Sequence, residues 1–186
     1  PFGWKVLGVI FEQTGRLSES LSPLQKSVGL SPHDAEAHCN LGIALEALGR
    51  LEEAEACLRQ AIALKNDYAE AHSSLGVALQ HLGRLEEAEA CLRQAIALRP
   101  DYAEAHYNLG VKLQELGELD EAEATYRQAI ILKREFTEAH GNLGITLQQL
   151  GRLEEAELSL RQAIALQPDY AEAHYNLGNA LIELGR

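Results

Sequence analysis

The stretch LGRLEEAEACLRQAIAL occupies Leu48 to Leu64 and returns unchanged at Leu82 to Leu98, 34 residues further on. A segment copied at a fixed period needs neighbours of its own kind to cover its apolar face, which restricts the chain to folds built by stacking one unit. Ruled in steps of 34 from Pro1, the sequence divides into copies at 1–34, 35–68, 69–102, 103–136 and 137–170, with a half copy at 171–186. The whole of 1–186 is therefore read as a single repeat array. Glycine marks the ruler twice, at the eighth place (Gly8, Gly42, Gly76, Gly110, Gly144, Gly178) and at the fifteenth (Gly15, Gly49, Gly83, Gly117, Gly151, Gly185).

Within a copy the spacing predicts two helices, so the fold class is all-α. Ala37, Leu41, Leu45 and Leu48 recur at three and four residues and form one apolar stripe, and Leu51, Ala54, Leu58, Ala61, Ile62 and Leu64 form a second. Gly49 ends the first helix, since a left-handed C-terminal residue carries no Cβ penalty when it is glycine. The eighth-place glycine, with Ala54 and Ala61, removes bulk where the two helices must approach closely. Glu52 and Glu53 suit the first turn of the second helix, and Glu55 pairs with Arg59 at i,i+4, which reads as a solvated face. Pro32, Pro100 and Pro168 stop the second helices, while Asn66 and Arg134 replace the proline at two junctions. Asp67 with Glu70, Asp101 with Glu104, and Asp169 with Glu172 have the spacing of capping boxes for the next copy.

Composition narrows the function classes. With 46% hydrophobic residues the chain can bury a core, and with 16 Lys and Arg against 28 Asp and Glu its formal charge is -12. Such an acidic chain repels phosphate backbones and anionic lipid surfaces, so neither nucleic acid nor membrane is expected as a partner. No apolar run approaches the roughly 20 residues that cross a bilayer, and the residues from Pro1 onward lack the basic and apolar regions of a signal peptide. Cys39, Cys57 and Cys91 form neither a CxxC pair nor an even framework and read as free thiols. A chain that opens on Pro1 and holds no Met reads as an excised piece whose address label could lie elsewhere. Localisation is not legible beyond a leaning to the cytoplasm.

The pattern resembles the tetratricopeptide repeat family over the whole chain. Trp4, Leu7, Gly8, Phe11, Ser20, Leu24, Ser27 and Pro32 fill its signature places in the first copy, and His38, Leu41, Gly42, Leu45, Ala54, Leu58 and Ala61 fill them in the second. The resemblance implies a right-handed superhelical solenoid of antiparallel helix pairs, whose first helices line a concave groove that binds protein segments. On a first helix the apolar stripe takes places 3, 7, 11 and 14, leaving places 2, 5, 6, 9, 12 and 13 to point elsewhere. The sixth place carries Asn40, Asn108, Asn142 and Asn176, with Ser74 and Val6 as exceptions. An amide both donates and accepts, so a ladder of amides can pair with a peptide backbone of any sequence. The repeat domains of the O-linked N-acetylglucosamine transferases look similar, and that likeness implies backbone contacts from these asparagines, with Ser74 a shortened rung. At the fifth place, where the copies diverge, Tyr107 and Tyr175 are expected to add contact area.

The runs AEAHYNLG and GRLEEAE also look like those of bacterial glycosyltransferase-like proteins, so the array could be the substrate-recruiting part of a longer enzyme. Nothing in the chain itself reads as an enzyme. No Ser/His/Asp set, phosphate loop or zinc spacing occurs, and no cofactor is expected. His38, His72, His106, His140 and His174 stand one full copy apart, too far to share an ion, and read as packing residues. A clamp for acidic tails would need several cations on the first helices, and only Lys5 is offered. Leu177, Leu181 and Leu184 on the final helix are ordinary internal letters with no following helix in the sequence to cover them. The alternative expectation is therefore a structural solenoid that self-associates end to end.

Overall fold

The computed structural model describes residues 2–186. Eleven helices occupy them: α1 Phe2–Gln13, α2 Leu17–Leu30, α3 Ala35–Ala47, α4 Leu51–Leu64, α5 Ala69–His81, α6 Leu85–Leu98, α7 Ala103–Glu115, α8 Leu119–Leu132, α9 Thr137–Gln149, α10 Leu153–Leu166 and α11 Ala171–Glu183. First helices begin at residues 35, 69, 103, 137 and 171, in step with the sequence period. The chain forms two compact units, one through Pro100 and one from Asp101 to Arg186. In the first, α1 pairs with α2, α3 with α4 and α5 with α6; in the second, α7 pairs with α8 and α9 with α10, and α11 lies on α9 and α10.

The fifteenth-place glycines adopt positive φ throughout, from 71° at Gly185 to 78° at Gly117. At Gly49 the reason is visible in the hydrogen bonds. The Gly49 N–H donates to the Glu46 carbonyl at 2.8 Å, and the Arg50 N–H reaches back to Leu45 at 2.9 Å. This closes two carbonyls that the end of α3 would leave open. The chain reverses in three residues, and α4 runs back along α3.

Close approach of the paired helices sets the eighth place. A Cβ built on Gly42 would sit 2.6 Å from Leu58 Cγ, and one on Gly144 would sit 2.5 Å from Leu160 Cγ. Those leucines are fully buried, with Ala54, Ala61, Ala156 and Ala163 beside them. At Gly110 the neighbour is Tyr126, 2.7 Å from a Cβ, where other copies hold leucine. Its hydroxyl needs a partner in the core and donates to Gln114 Oε1 at 2.9 Å.

Three expectations need correction. The capping boxes do not form: the residues that precede α5, α7 and α11 are Tyr68, Tyr102 and Tyr170, none of which caps by side chain, so the expected aspartates lie one residue too early. Asp34, placed directly before α3, does accept from the N–H groups of Glu36 and Ala37, at 3.0 and 3.2 Å. The histidines do more than fill space. Nε2 of His38, His72, His140 and His174 lies 2.9 to 3.1 Å from the carbonyls of Pro32, Asn66, Arg134 and Pro168, six residues upstream. A carbonyl only accepts, so Nε2 carries the proton, and each ring ties its helix to the turn before it. The charges of the second helices are likewise not merely solvated. Arg59 and Arg84 each bridge Glu55 and Glu87, which joins α4 to α6. Arg127 and Arg152 do the same with Glu123 and Glu155, joining α8 to α10.

Candidate functional site

First-helix places 9, 12 and 13, expected to lie off the apolar stripe, form an open trough in the second unit. Ile145, Gln148 and Gln149 of α9 face Asn179, Ile182 and Glu183 of α11 across a space of about 410 Å³. Its lining combines two aliphatic residues, three amides and the Glu183 carboxylate, groups that can hold side chains and still pair with backbone groups. The corresponding places in the first unit carry acid. His81 Nδ1 of α5 lies 3.4 Å from Glu46 Oε1 of α3, and burial raises the Glu46 carboxyl above its ordinary range. On α1 the Glu12 carboxyl is pushed up to about 7 by burial, and its Oε1 has no hydrogen-bond partner among the described residues.

The sixth-place residues Asn40, Ser74, Asn108, Asn142 and Asn176 are all half-buried. None of them is among the residues that line the trough, and of the five only Asn142 and Asn176 stand on the helices that form it. Asn142 is drawn toward another expected site residue, since its Nδ2 donates to the Tyr107 hydroxyl at 3.3 Å. Helix geometry explains the offset. Places 12 and 13 follow place 9 by three and four residues, whereas place 6 precedes it by three, so the asparagines sit one turn nearer the helix N-termini than the trough.

The fifth place departs from expectation. It is not an open surface free to drift: Cys39 and Ser73 are buried at 0% and 2% exposure, and Lys5 at 9%. In four copies the fifth residue is instead matched to the one 29 positions later, at the turn into the next copy. Lys5 donates to Asp34 at 3.1 Å and to Glu36 at 2.8 Å. The Cys39 thiol lies against the Tyr68 hydroxyl, and burial pushes it up to about 12. Tyr107 packs with its ring centre 4.9 Å from that of Phe136, tilted by 39°, and 5.9 Å from that of Tyr126. Gly141 leaves room for the Tyr170 ring, which would lie 3.0 Å from a Cβ there. Tyr107 is thus half-buried in an aromatic cluster, whereas Tyr175 is 70% exposed. Lys5 is neutralised by two carboxylates and is not a free groove cation.

On α11 the three end leucines are only partly exposed, and Leu177 packs with Leu160, Ala163 and Ala180. The apolar residues most in contact with solvent there are Ile182, at 75%, and Tyr175. Sequence reasoning missed Ile182 because it stands at a place where the other copies carry Glu or Gln. Among the described residues no group of His, Cys, Asp or Glu is arranged to hold a metal ion. No helix there is long and apolar enough to cross a membrane. Cys39, Cys57 and Cys91 are free.

Comparison with known proteins agrees with this geometry. A family model described as TPR repeat matches residues 47–83, 81–117 and 146–185, and one described as Tetratricopeptide repeat matches 103–136. No curated protein matches the chain in sequence. Among solved structures the chain is similar to TTC0263, a thermophilic TPR protein in Thermus thermophilus. The two are 27% identical with a TM-score of 0.84, over 97% of this chain and 98% of that one. PilW, a widely conserved type IV pilus biogenesis factor, matches at 20% identity and a TM-score of 0.87, over 98% and 84% of the two chains. YrrB, a TPR protein with an unusual peptide-binding site, matches at 23% identity and a TM-score of 0.68, over 92% and 89%. These last two likenesses speak to fold alone. With its helix pairs in step with the period and family models covering more than half of its residues, the chain belongs to the tetratricopeptide repeat family.

Proposed function

We propose that the protein is a non-enzymatic scaffold that holds an extended segment of another protein along its first helices. The observation that carries this reading is the trough of α9 and α11, lined by Gln148, Gln149, Asn179 and Glu183 together with the aliphatic Ile145 and Ile182. A segment lying there brings its backbone past the sixth-place flank. In this reading Asn108, Asn142 and Asn176 pair with its amides and Tyr107 and Tyr175 add ring surface, while in the first unit, taken by itself, Asn40 offers the same contact and Ser74 a shorter one. YrrB, whose fold is shared, is a peptide-binding protein by its own description, which supports the same use of this fold. The further reading, recruitment of substrates for a transferase elsewhere on a longer glycosyltransferase-like chain, is supported by the runs AEAHYNLG and GRLEEAE alone.

The test compares wild type with Asn108→Ala/Asn142→Ala against extended peptides selected for binding to wild type. A loss of tenfold or more in affinity, with the thermal midpoint little changed, is the expected result. Unchanged affinity with a large drop in stability would assign the asparagines to the scaffold.

A second reading, end-to-end self-association, is favoured by one feature of α11. A Cβ on Gly178 would meet nothing within 4 Å, whereas the equivalent glycines are covered by a leucine or tyrosine of the paired helix. In this reading a helix from another molecule packs into that slot. Changing Leu181 and Leu184 to Gln, and leaving the packed Leu177 in place, should abolish concentration-dependent sedimentation if the slot is used. Sedimentation unaltered by the change would rule the reading out.

A further inference from the structure

The two units carry an equivalent cleft on their second-helix side, and besides Cys91 against Ser159 the copies differ there at two places. In the first unit Arg59 and Ile62 of α4, His72 and Leu75 of α5, and Cys91 of α6 border a space of about 300 Å³. In the second unit Arg127, Ile130, His140, Leu143 and Ser159, each 68 residues later, border one of about 390 Å³. The change lies at the mouth. Ile131 stands where the other unit has Ala63, and Leu158 where it has Ala90. Both are 69% exposed, one on α8 and one on α10, on opposite sides of the opening.

Neither residue is needed to build the fold. Alanine serves at the same places as Ile131 in Ala63, Ala97 and Ala165, and as Leu158 in Ala56 and Ala90. A side chain that remains two-thirds in water buries little area and contributes little to folding. Two such departures meet at one cleft whose floor, Leu143 and Leu147, is already apolar. Exposed aliphatic residues gathered around a concavity mark an interaction surface, whereas scattered ones carry no such meaning.

The polar groups at the cleft decide what it accepts. Arg127 is bound to Glu123 at 2.8 Å and to Glu155 at 3.0 Å, so its charge is balanced within the ring that joins α8 to α10. The Ser159 hydroxyl donates to the His140 carbonyl at 2.9 Å, and the His140 ring is committed to Arg134. Besides these groups only the Gln162 amide lines the cleft, which is no convergent set to orient a polar small molecule. A second copy of this chain is also a poor occupant. A stable dimer needs roughly 800 Å² from each partner, far more than two side chains and the cleft between them. What fits is one apolar side chain seated between two aliphatic lips with a neutral rim, the arrangement in which a single buried anchor dominates binding.

We propose that the cleft between α8, α9 and α10 is a docking site, distinct from the first-helix trough, for an aliphatic or aromatic anchor carried on an uncharged stretch of another protein. The probe is a display library of twelve-residue peptides, each with one central Leu, Ile, Phe or Trp among Ala, Gln and Ser. Selection is made on wild type in the presence of the first-unit cleft as an internal control. Selected peptides should lose at least tenfold in affinity for Ile131→Ala/Leu158→Ala, which restores the alanines of the other copies at exposed positions. They should bind Asn108→Ala/Asn142→Ala as well as wild type, which separates this site from the trough. Ala63→Ile/Ala90→Leu should add a second equivalent of bound peptide. Peptides that bind the alanine variant undiminished, a library that yields no binder, or wild-type dimerisation abolished by the same two substitutions would each overturn the proposal.

Discussion

Lys112 occupies the tenth place of its copy, where Ala44, Ala78 and Ala180 stand elsewhere, and where Thr146 donates its hydroxyl to the Asn142 carbonyl. It is fully buried, and its amine has no hydrogen-bond partner among the described residues. A buried donor without an acceptor costs the desolvation of that group with nothing returned. Lys112→Met keeps most of the volume and removes the donor, so it should raise the unfolding free energy by about 1–3 kcal/mol in urea denaturation. No periodic reading marks this position, because a lysine among alanines on a helix is ordinarily taken for a solvated residue. Its burial is a property of the fold that the letter itself conceals.

At the scale of the helix and its turn, the residue types that restrict the backbone were the ones the sequence declared. The fifteenth-place glycines announced left-handed helix ends, and the eighth-place glycines announced close approach, because no other residue satisfies either demand. Pairwise demands were harder to see. The fifth place looked free to vary, yet Lys5 follows Asp34, Cys39 follows Tyr68, and Tyr107 follows Phe136. Each pair is separated by 29 residues, so the constraint shows only when both columns are read together. The histidine bonds escaped for a related reason, since their acceptors are main-chain carbonyls that leave no letter. One consequence can be measured. Gly141→Tyr should destabilise by about 1–3 kcal/mol through overpacking against Tyr170. Adding Tyr170→Phe reproduces the Tyr107 and Phe136 pair and should recover part of the loss, a positive coupling in a double-mutant cycle.

For the whole molecule the strongest lever is proton concentration. Burial holds the Glu12 carboxyl at about 7, against an ordinary 4.5, and Glu46 is shifted in the same sense. Between those limits the folded chain binds more protons than the unfolded one, so stability falls as pH rises and levels off once both forms are ionised. Self-repulsion of the -12 charge acts in the same direction. The thermal midpoint should therefore be higher at pH 5.5 than at pH 8, and Glu12→Gln should flatten that slope. In stronger acid the sign reverses. The Asp34 carboxyl, desolvated yet held low by Lys5 and by the N–H groups of α3, loses its contribution as pH falls through its folded value.

Helices α4 and α6 are spelled identically, from LEEAE to AIAL, and each meets its partner through the same glycine and the same arginine turn. A chain emerging from denaturant has no local means of telling one from the other, so α3 can recruit the wrong mate and strand a copy between them. Renaturation should then divide into a prompt population and a delayed one that must first undo its choice.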